Sequence, residues 1–186
     1  PICGSSARRS GVDVVAGRVT KADGMDLIQE QVRRNEAADS AWELYAPHRE
    51  RVTQRLLDAR TSSAERLCVL GAGNLNDVDL AVLSAAFREI VLVDVDANAV
   101  RRGLERQGFA KDARIRVVAP VDVSDVFAEL TKLPSGPLER EIAIEDCLRR
   151  LARVPDLESK LKGPFDVVAS VGLFTQLIDE IGRAHV

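Results

Sequence analysis

The feature that most restricts the fold is a short apolar run that ends in closely spaced glycines. Leu67–Leu80 reads LCVLGAGNLNDVDL, so apolar residues lead into Gly71 and Gly73 and then into a polar segment. A short apolar run bounded by turn residues is typical of a buried strand. Glycines at a strand-to-helix turn allow a ligand to approach the backbone closely. The stretch therefore predicts a strand, a ligand-binding turn and a helix in succession.

The same alternation continues along the chain. Further apolar runs predict strands over Glu89–Asp96, Ala113–Asp122 and Phe165–Phe174. Helical patterns lie between them, over Asp77–Phe87, Ala97–Gly108 and Pro137–Val154. Strands that alternate with helices indicate an α/β fold with a doubly wound parallel sheet. We expect the first four strands of such a sheet, within a domain that spans residues 66–179.

The sheet domain is preceded by a helical region. Residues 1–22 have a mixed composition and are expected to be loose, whereas residues 23–60 carry apolar residues at helical spacing. Pro47 divides this region, because a helix tends to stop before a proline and can restart with proline in its first turn. We therefore predict two N-terminal helices.

Composition excludes several classes of protein. The chain has 186 residues and a net charge of −3, which fits one globular domain and gives no indication of nucleic-acid binding. Cys3, Cys68 and Cys147 lie far apart and without metal-ligand spacing, so we expect no metal, and Cys68 is expected in the core. No apolar stretch is long enough to span a membrane, and no signal-peptide core is present, so a cytoplasmic location is expected.

The last residues have an unusual origin in our interpretation. The chain ends in EIGRAHV, and back-translation of this string matches a common sequencing-adapter sequence read in one frame. We expect the genuine protein sequence to end near Asp179 and residues 180–186 to be an adapter-derived tail, with an ordinary polar tail as the alternative. The chain would then be a C-terminally truncated fragment, inactive on its own.

Polar residues follow each predicted strand, at the edge where ligands bind in this fold. They are Gly71–Asn76 after the first strand, Asp94–Asp96 after the second, Asp122 after the third and Ser170–Phe174 after the fourth. Asp94 lies roughly 20 residues beyond the glycines, where an acid accepts hydrogen bonds from ribose hydroxyls. This position suits a nicotinamide dinucleotide and S-adenosylmethionine equally.

The glycine turn separates these two ligands. A dinucleotide fingerprint has a third glycine at the position that Asn76 occupies. Asp77 and Asp79 follow, and carboxylates at this place repel a pyrophosphate but suit a sulfonium with an ammonium group. S-adenosylmethionine is therefore favoured as cofactor. An NAD-dependent oxidoreductase and a non-catalytic scaffold with the same fold remain the alternatives.

From Arg66 to about Asp179 the chain resembles the class I, Rossmann-like S-adenosylmethionine-dependent methyltransferases. The resemblance lies in VLGAGN, VLVDVDANAV, VVAPVDVSD and FDVVASVGLFTQL, in the family's order and spacing. It implies that Asp94 binds the ribose, that Asp122 and Val123 face the adenine and that the fourth strand ends beside the transferred methyl group, where Ser170 would touch substrate or cofactor. The full set of implied cofactor residues is Gly71, Ala72, Gly73, Asn74, Asn76, Asp77, Asp94, Val95, Asp122, Val123 and Ser170.

The chain also departs from that family's pattern. Val69 stands where the family often has an acid, and Leu75 stands where a third glycine often follows. We therefore expect the methionine end of the cofactor to be held by Asn74, Asn76 or Asp77. The fourth motif lacks the Asn/Asp-Pro-Pro-Tyr of methylases that act on nucleic-acid amino groups, so a small-molecule acceptor is favoured.

Four residues of the N-terminal helices are candidates for the acceptor site. Trp42, Tyr45, His48 and Arg49 recur at helix-like spacing. They would form a lid over the cofactor, with His48 as a general base or orienting group. In the alternative interpretation, Trp42 and Tyr45 only dock the helix on the sheet and His48 is a surface group.

Overall fold

The computed structural model describes residues 27–61, 63, 65–151 and 157–172. The elements in chain order are α1 Leu27–Ala37, a 3₁₀ helix Asp39–Ala41, α2 Ala46–Asp58, β1 Arg66–Leu70, α3 Leu80–Ala86, β2 Glu89–Val93, α4 Ala97–Gln107, β3 Ile115–Val118, α5 Phe127–Leu130, α6 Pro137–Leu151, α7 Glu158–Leu161 and β4 Val167–Ser170. The predicted loose segment 1–22 and the tail 180–186 lie outside the described residues.

The four strands form one parallel sheet in the order β3-β2-β1-β4. Cys68 in the middle of β1 pairs with Val91 of β2 on one side and with Val168 of β4 on the other. The chain therefore moves outward from β1 to β3 and then crosses back to the other side of β1. This reversal between β1 and β4 is the switch point at which such sheets bind ligands. The predicted α/β class and parallel sheet are confirmed.

Alternate residues of the strands face opposite sides of the sheet. Leu67 and Ile90 lie on the side covered by α2, α3 and α4 and are fully buried. Cys68 and Val91 lie on the other side, where Leu161 of α7 packs against them. Each fully buried aliphatic side chain contributes roughly 1.5–3 kcal/mol relative to an exposed one. Cys68 is a core residue, as predicted, and burial raises the pKa of its thiol to about 11.

The helices that follow β1 and β2 begin at aspartate caps. The Asp79 carboxylate accepts from the backbone N–H of Ala81 at 2.9 Å, and the Asp96 carboxylate accepts from that of Asn98 at 3.0 Å. A side-chain acceptor at the N-cap satisfies N–H groups that have no partner within the helix. The sequence predicts that this helix begins at Asp77. Because Asp79 is the cap, α3 begins three residues later, at Leu80, and Asp77 belongs to the loop.

The third and fourth strands are shorter than the sequence predicts. β3 ends at Val118, before Pro120, whose ring nitrogen has no hydrogen to donate to a neighbouring strand. The backbone N–H of Val121 nevertheless donates to the carbonyl of Asp94 at 2.9 Å, which keeps the segment after β3 beside the end of β2. This contact brings two loops that carry predicted site residues together.

Both helices predicted in the N-terminal region are present among the described residues, and Pro47 lies in the first turn of α2 as expected. The segment between β3 and β4 contains α6, as predicted, together with the short helices α5 and α7, which the sequence pattern did not indicate. Leu27 of α1 packs against a small cluster formed by Val126, Leu130 and Cys147. This segment therefore supports α1 from the side.

Candidate functional site

A cavity of about 590 Å³ opens at the carboxyl ends of β1, β2 and β3 and reaches the residues after β4. Cavities of this size take small organic ligands and cofactors. Nine of the eleven predicted cofactor residues line it, namely Gly71, Gly73, Asn74, Asn76, Asp77, Asp94, Val95, Asp122 and Val123. Ala72 is buried beside the wall, and the wall after β4 is made by Val171 and Gly172, while Ser170 lies exposed on β4.

The glycine turn has the backbone conformation that its sequence indicates. Gly71 and Gly73 have φ angles of 72° and 47°, and Leu75 has a φ angle of 57°. These values lie in the left-handed region, which costs a residue with a Cβ roughly 1–2 kcal/mol. Leu75 therefore holds a glycine-like conformation at the position where the resembling family often has glycine, and its side chain is buried in the core.

Asp94 connects the end of β2 to the glycine turn. Its Oδ2 accepts from the backbone N–H of Gly73 at 2.7 Å, and its Oδ1 accepts from the backbone N–H of Asp96 at 2.8 Å. The side chain is nearly buried, and this burial raises the pKa of the carboxyl although both N–H donors oppose the shift. Each carboxylate oxygen can accept a further hydrogen bond, so Asp94 can bind hydroxyl groups in the cavity.

Asp122 shapes the loop after β3. Its carboxylate accepts from the backbone N–H of Ser124 at 2.8 Å and from that of Phe127 at 3.0 Å. These bonds fix the turn that leads into α5 and leave Asp122 and Val123 on the cavity wall. Asp125, a second acid three residues further along the same loop, does not line the cavity and pairs with Arg150 at 2.9 Å. The adenine contact predicted for Asp122 stays a prediction.

The amides of Asn74 and Asn76 hold the N-terminal helices onto the glycine turn. The Asn74 amide donates to the backbone carbonyl of Asn35. The Asn76 amide donates to the carbonyl of Ala38 at 2.8 Å, while its oxygen accepts from Arg106 at 2.8 Å. Their polar atoms are thus engaged within the protein. Of the three residues predicted to hold the methionine end, Asp77 is the one whose carboxylate keeps an unused oxygen.

Asp77 lies on the cavity wall opposite α2. Its Oδ1 is 3.1 Å from Nε2 of His48, and its Oδ2 has no hydrogen-bond partner among the described residues. Burial raises the pKa of the Asp77 carboxyl, and the neighbouring His48 and Arg49 reduce that shift. The sequence interpretation gave His48 no partner, and the structure supplies one.

The N-terminal helices form a second wall of the cavity. Its members are Gln31, Arg34, Asn35, Ala38, Tyr45 and His48. Four of these, on α1 and just after it, were not predicted. Helix α1 is polar around most of its surface, so its sequence pattern does not distinguish the side that faces the cavity. The side of α1 that faces the cavity is determined by how the helix packs against the rest of the fold.

Asn35 anchors this second wall. Its amide nitrogen donates to the Asp96 carboxylate at 3.1 Å, and its oxygen accepts from Gln31 at 3.4 Å. The same oxygen lies 3.4 Å from the point that a Cβ on Gly73 would occupy. Asn35 therefore joins α1 to the loops after β1 and β2, and a side chain at Gly73 would crowd this contact.

The four predicted acceptor-site residues divide into two pairs. The guanidinium carbon of Arg49 lies 3.4 Å from the centroid of the Trp42 ring, and the same group donates to the carbonyl of Asn76 at 3.2 Å. Trp42 and Arg49 therefore dock the helices on the glycine turn. Tyr45 and His48 line the cavity instead. Their contact with an acceptor stays a prediction.

The cavity has an acidic character. Asp77, Asp94 and Asp122 contribute three carboxylates from three different loops. The guanidinium of Arg34 lies 3.4 Å from Glu30, which offsets its charge. Within the part of the chain that the structure describes, no group of three His, Cys, Asp or Glu side chains is placed to hold a metal ion. The wall is thus suited to a ligand that carries positive charge.

Comparisons with known proteins give no further identification. No protein-family model matches the chain, and searches of curated proteins and of solved structures find no match. Among the described helices, none combines the length and the apolar character needed to cross a membrane.

Proposed function

We propose that this chain carries the cofactor site of an S-adenosylmethionine-dependent methyltransferase. The observation that carries the proposal is the cavity itself, in which a left-handed glycine turn and three carboxylates from successive loops meet at the switch point of a parallel sheet. Ligands of this fold bind at that point. When bound, the cofactor would supply a methyl group attached to a sulfonium, and a nucleophile of the acceptor would attack the carbon of that methyl group.

Charge supports this cofactor over a dinucleotide. S-adenosylmethionine carries a sulfonium and an ammonium beside one carboxylate, whereas a dinucleotide carries a pyrophosphate with two negative charges. Asp77 lines the cavity directly after the glycine turn, where a pyrophosphate would have to lie. A carboxylate there repels phosphate oxygens and attracts an ammonium group. An NAD-dependent oxidoreductase is correspondingly less favoured.

Each part of the cofactor has a partner of suitable chemistry. Asp94 would accept hydrogen bonds from the ribose hydroxyls, because its buried carboxylate is already fixed by two backbone N–H groups. Asp122 and Val123 would contact the adenine. The unused Oδ2 of Asp77 would accept from the ammonium of the methionine end. These residues orient the ligand, and orientation supplies most of the catalytic advantage in an in-line displacement.

The acceptor in this proposal is a small molecule. The second wall, made by α1 and α2, offers hydrogen-bonding side chains such as Gln31 and Tyr45 next to the cofactor positions. A cytoplasmic location belongs to the same proposal. It is supported by Cys68 and Cys147, which are free buried thiols, as is usual for proteins of reducing compartments.

Calorimetric titration of the 186-residue chain tests the cofactor. We expect S-adenosylmethionine and its demethylated product to bind, and NAD not to bind. Asp94→Asn is expected to weaken binding by about 1–3 kcal/mol through loss of charged hydrogen bonds. Asp125→Asn is the matched control, because Asp125 lies outside the cavity and asparagine tolerates its φ angle of 58°. Tight binding of NAD without binding of S-adenosylmethionine would refute the proposal.

A further inference from the structure

His48 and Asp77 form a pair on the cavity wall whose role the cofactor site does not explain. The pair joins α2 to the loop after β1, with 3.1 Å between Nε2 of His48 and Oδ1 of Asp77. Tyr45, one turn earlier on the chain, places its ring edge-on to the imidazole with a centroid separation of 6.1 Å. Both members of the pair line the cavity, so a ligand in the cavity can reach the imidazole.

The contact with Asp77 determines which nitrogen of His48 carries the proton. A carboxylate accepts hydrogen bonds and does not donate them when it is ionised, so the neutral imidazole places its proton on Nε2. The lone pair is then on Nδ1. An imidazole that is oriented by a carboxylate and keeps one unprotonated nitrogen has the arrangement of a general base.

We propose that His48 is the general base of this site, that Asp77 is its positioning residue, and that the acceptor is a small molecule with a hydroxyl group as nucleophile. The proposal rests on the proposed function, since it assigns the acceptor chemistry of the same site. Asp77 would position His48 through Oδ1 and would accept from the ammonium group of the cofactor through Oδ2.

A hydroxyl acceptor is the class that needs such a base. A neutral hydroxyl is a weak nucleophile, and its reactivity rises as its proton is removed. During transfer the acceptor oxygen forms a bond to the methyl carbon, the electron pair of the breaking carbon–sulfur bond remains on sulfur, and the hydroxyl proton passes to Nδ1 of His48. The sulfonium thereby becomes a neutral thioether and the imidazole becomes an imidazolium, so charge is conserved.

The surroundings of the pair are consistent with this role. Burial raises the pKa of the Asp77 carboxyl. The charge of Arg49, which follows His48 on α2, acts in the opposite direction and lowers that pKa. The imidazolium formed during transfer would lie beside this carboxylate, which stabilises the positive charge.

The protonation state of His48 can be measured without turnover. Long-range nitrogen–proton NMR of the chain, saturated with the demethylated cofactor product, reports the tautomer of each histidine. His185→Gln removes the second histidine of the chain, so the remaining signal belongs to His48. We expect the Nε2-protonated tautomer in this variant and a mixture of tautomers once Asp77→Ala is added. A dominant Nδ1-protonated tautomer would overturn the proposal.

Turnover with a series of phenols of increasing pKa tests the base itself, and it is measured with the full-length protein because the sequence predicts that the present chain is inactive on its own. His48→Gln should lower kcat about 10²- to 10⁴-fold for the least acidic phenols, the range expected for general-base catalysis. The loss should shrink for phenols that are already ionised, and the affinity for S-adenosylmethionine should not change. Arg51→Gln, an exposed change on the same helix, serves as the control.

The possible outcomes separate the two proposals. If the full-length protein binds S-adenosylmethionine but methylates no phenol, or if the loss in His48→Gln is equal for all phenols, the general-base proposal is wrong and the cofactor proposal stands. If S-adenosylmethionine does not bind, both are wrong.

Discussion

The carboxylate of Asp94 accepts a hydrogen bond of 2.7 Å from the backbone N–H of Gly73. This bond joins the end of β2 to the glycine turn that follows β1, so the two sides of the candidate cofactor site are held at a fixed separation. The other oxygen of Asp94 binds the backbone N–H of Asp96 at 2.8 Å. A single side chain therefore organises both loops before any ligand is present, which lowers the cost of ordering them on binding.

The pKa of Asp94 gives a pH-dependent prediction. Burial raises this pKa above the ordinary aspartate value of about 3.9, so acidification protonates Asp94 earlier than an exposed aspartate. We expect the affinity for adenosine to fall as pH drops through this raised pKa, because the ionised acceptor is lost. In Asp94→Asn the affinity for adenosine should be lower at every pH and should not change as pH drops through the pKa of the wild-type carboxyl. Titration calorimetry at a series of pH values measures both.

Acidification affects folding stability through Asp94 in the opposite direction from its effect on the affinity for adenosine. A carboxyl with a raised folded-state pKa contributes most to stability at low pH, and this contribution is lost as pH rises through the interval between its unfolded and folded values. Protonation of Asp94 therefore does not itself unfold the protein. Circular dichroism over the same pH series is the control. A wild-type affinity for adenosine that does not fall on acidification, while the fold is retained, would contradict the prediction.

The left-handed backbone of Leu75 predicts an unusual order of stabilities. Both Leu75→Ala and Leu75→Gly remove a buried side chain, at a cost of about 2–5 kcal/mol. Alanine keeps the Cβ that is unfavourable at a φ angle of 57°, whereas glycine does not. We expect the glycine variant to be the more stable of the two by about 1 kcal/mol. Urea unfolding measures the difference, and a more stable alanine variant would show that the turn relaxes.

The sequence was sufficient to predict the sheet and the cavity edge. The period of apolar residues changes from strand to helix after Leu70 and again after Val93, and each change is marked by glycine or aspartate. These signals are local, so they can be read without knowledge of the rest of the fold. Asp96 as a helix cap and Gly108 as a helix end, with a φ angle of 79°, were predictable for the same reason.

The second wall of the cavity could not be predicted in this way. Asn35 and Gln31 lie on a helix whose surface is polar on most sides, and their position at the cavity depends on contacts between distant segments. The partner of His48 was missed because Asp77 was assigned to the first turn of α3, whereas the cap at Asp79 leaves Asp77 in the loop.

Gly103 is a further residue whose role appears only in the packed structure. A Cβ at this position of α4 would lie 2.5 Å from the backbone oxygen of Asn74, so the helix approaches the glycine turn closely. Gly103→Ala should destabilise the protein by about 1–3 kcal/mol through overpacking, even though alanine favours helix formation by about 1 kcal/mol. Arg101→Ala, an exposed change on the same helix, should have little effect. Equal thermal unfolding of both variants would contradict the close approach.

Asn35 tests whether the N-terminal helices complete the cofactor site. Asn35→Ala removes the hydrogen bond of 3.1 Å to Asp96 and leaves a buried carboxylate oxygen with one partner fewer. We expect the free energy of unfolding to fall by about 1–3 kcal/mol and the affinity for adenosine to fall as well. Glu36→Ala, an exposed change on the same helix, is the control. An unchanged adenosine affinity in Asn35→Ala would show that α1 is not part of the site.

Asp77 and its neighbour Asn76 predict different responses to two ligands. The Asp77 carboxylate has a free oxygen at the cavity, so Asp77→Asn should weaken S-adenosylmethionine by about 1–3 kcal/mol while adenosine, which lacks the ammonium group, is nearly unaffected. The Asn76 amide instead binds the carbonyl of Ala38 and the side chain of Arg106. Asn76→Ala should therefore weaken the binding of both ligands equally and lower the free energy of unfolding.

Calorimetry with S-adenosylmethionine and adenosine on both variants measures the four affinities. Equal losses of both ligands in Asp77→Asn would mean that Asp77 supports the loop rather than the methionine end of the cofactor.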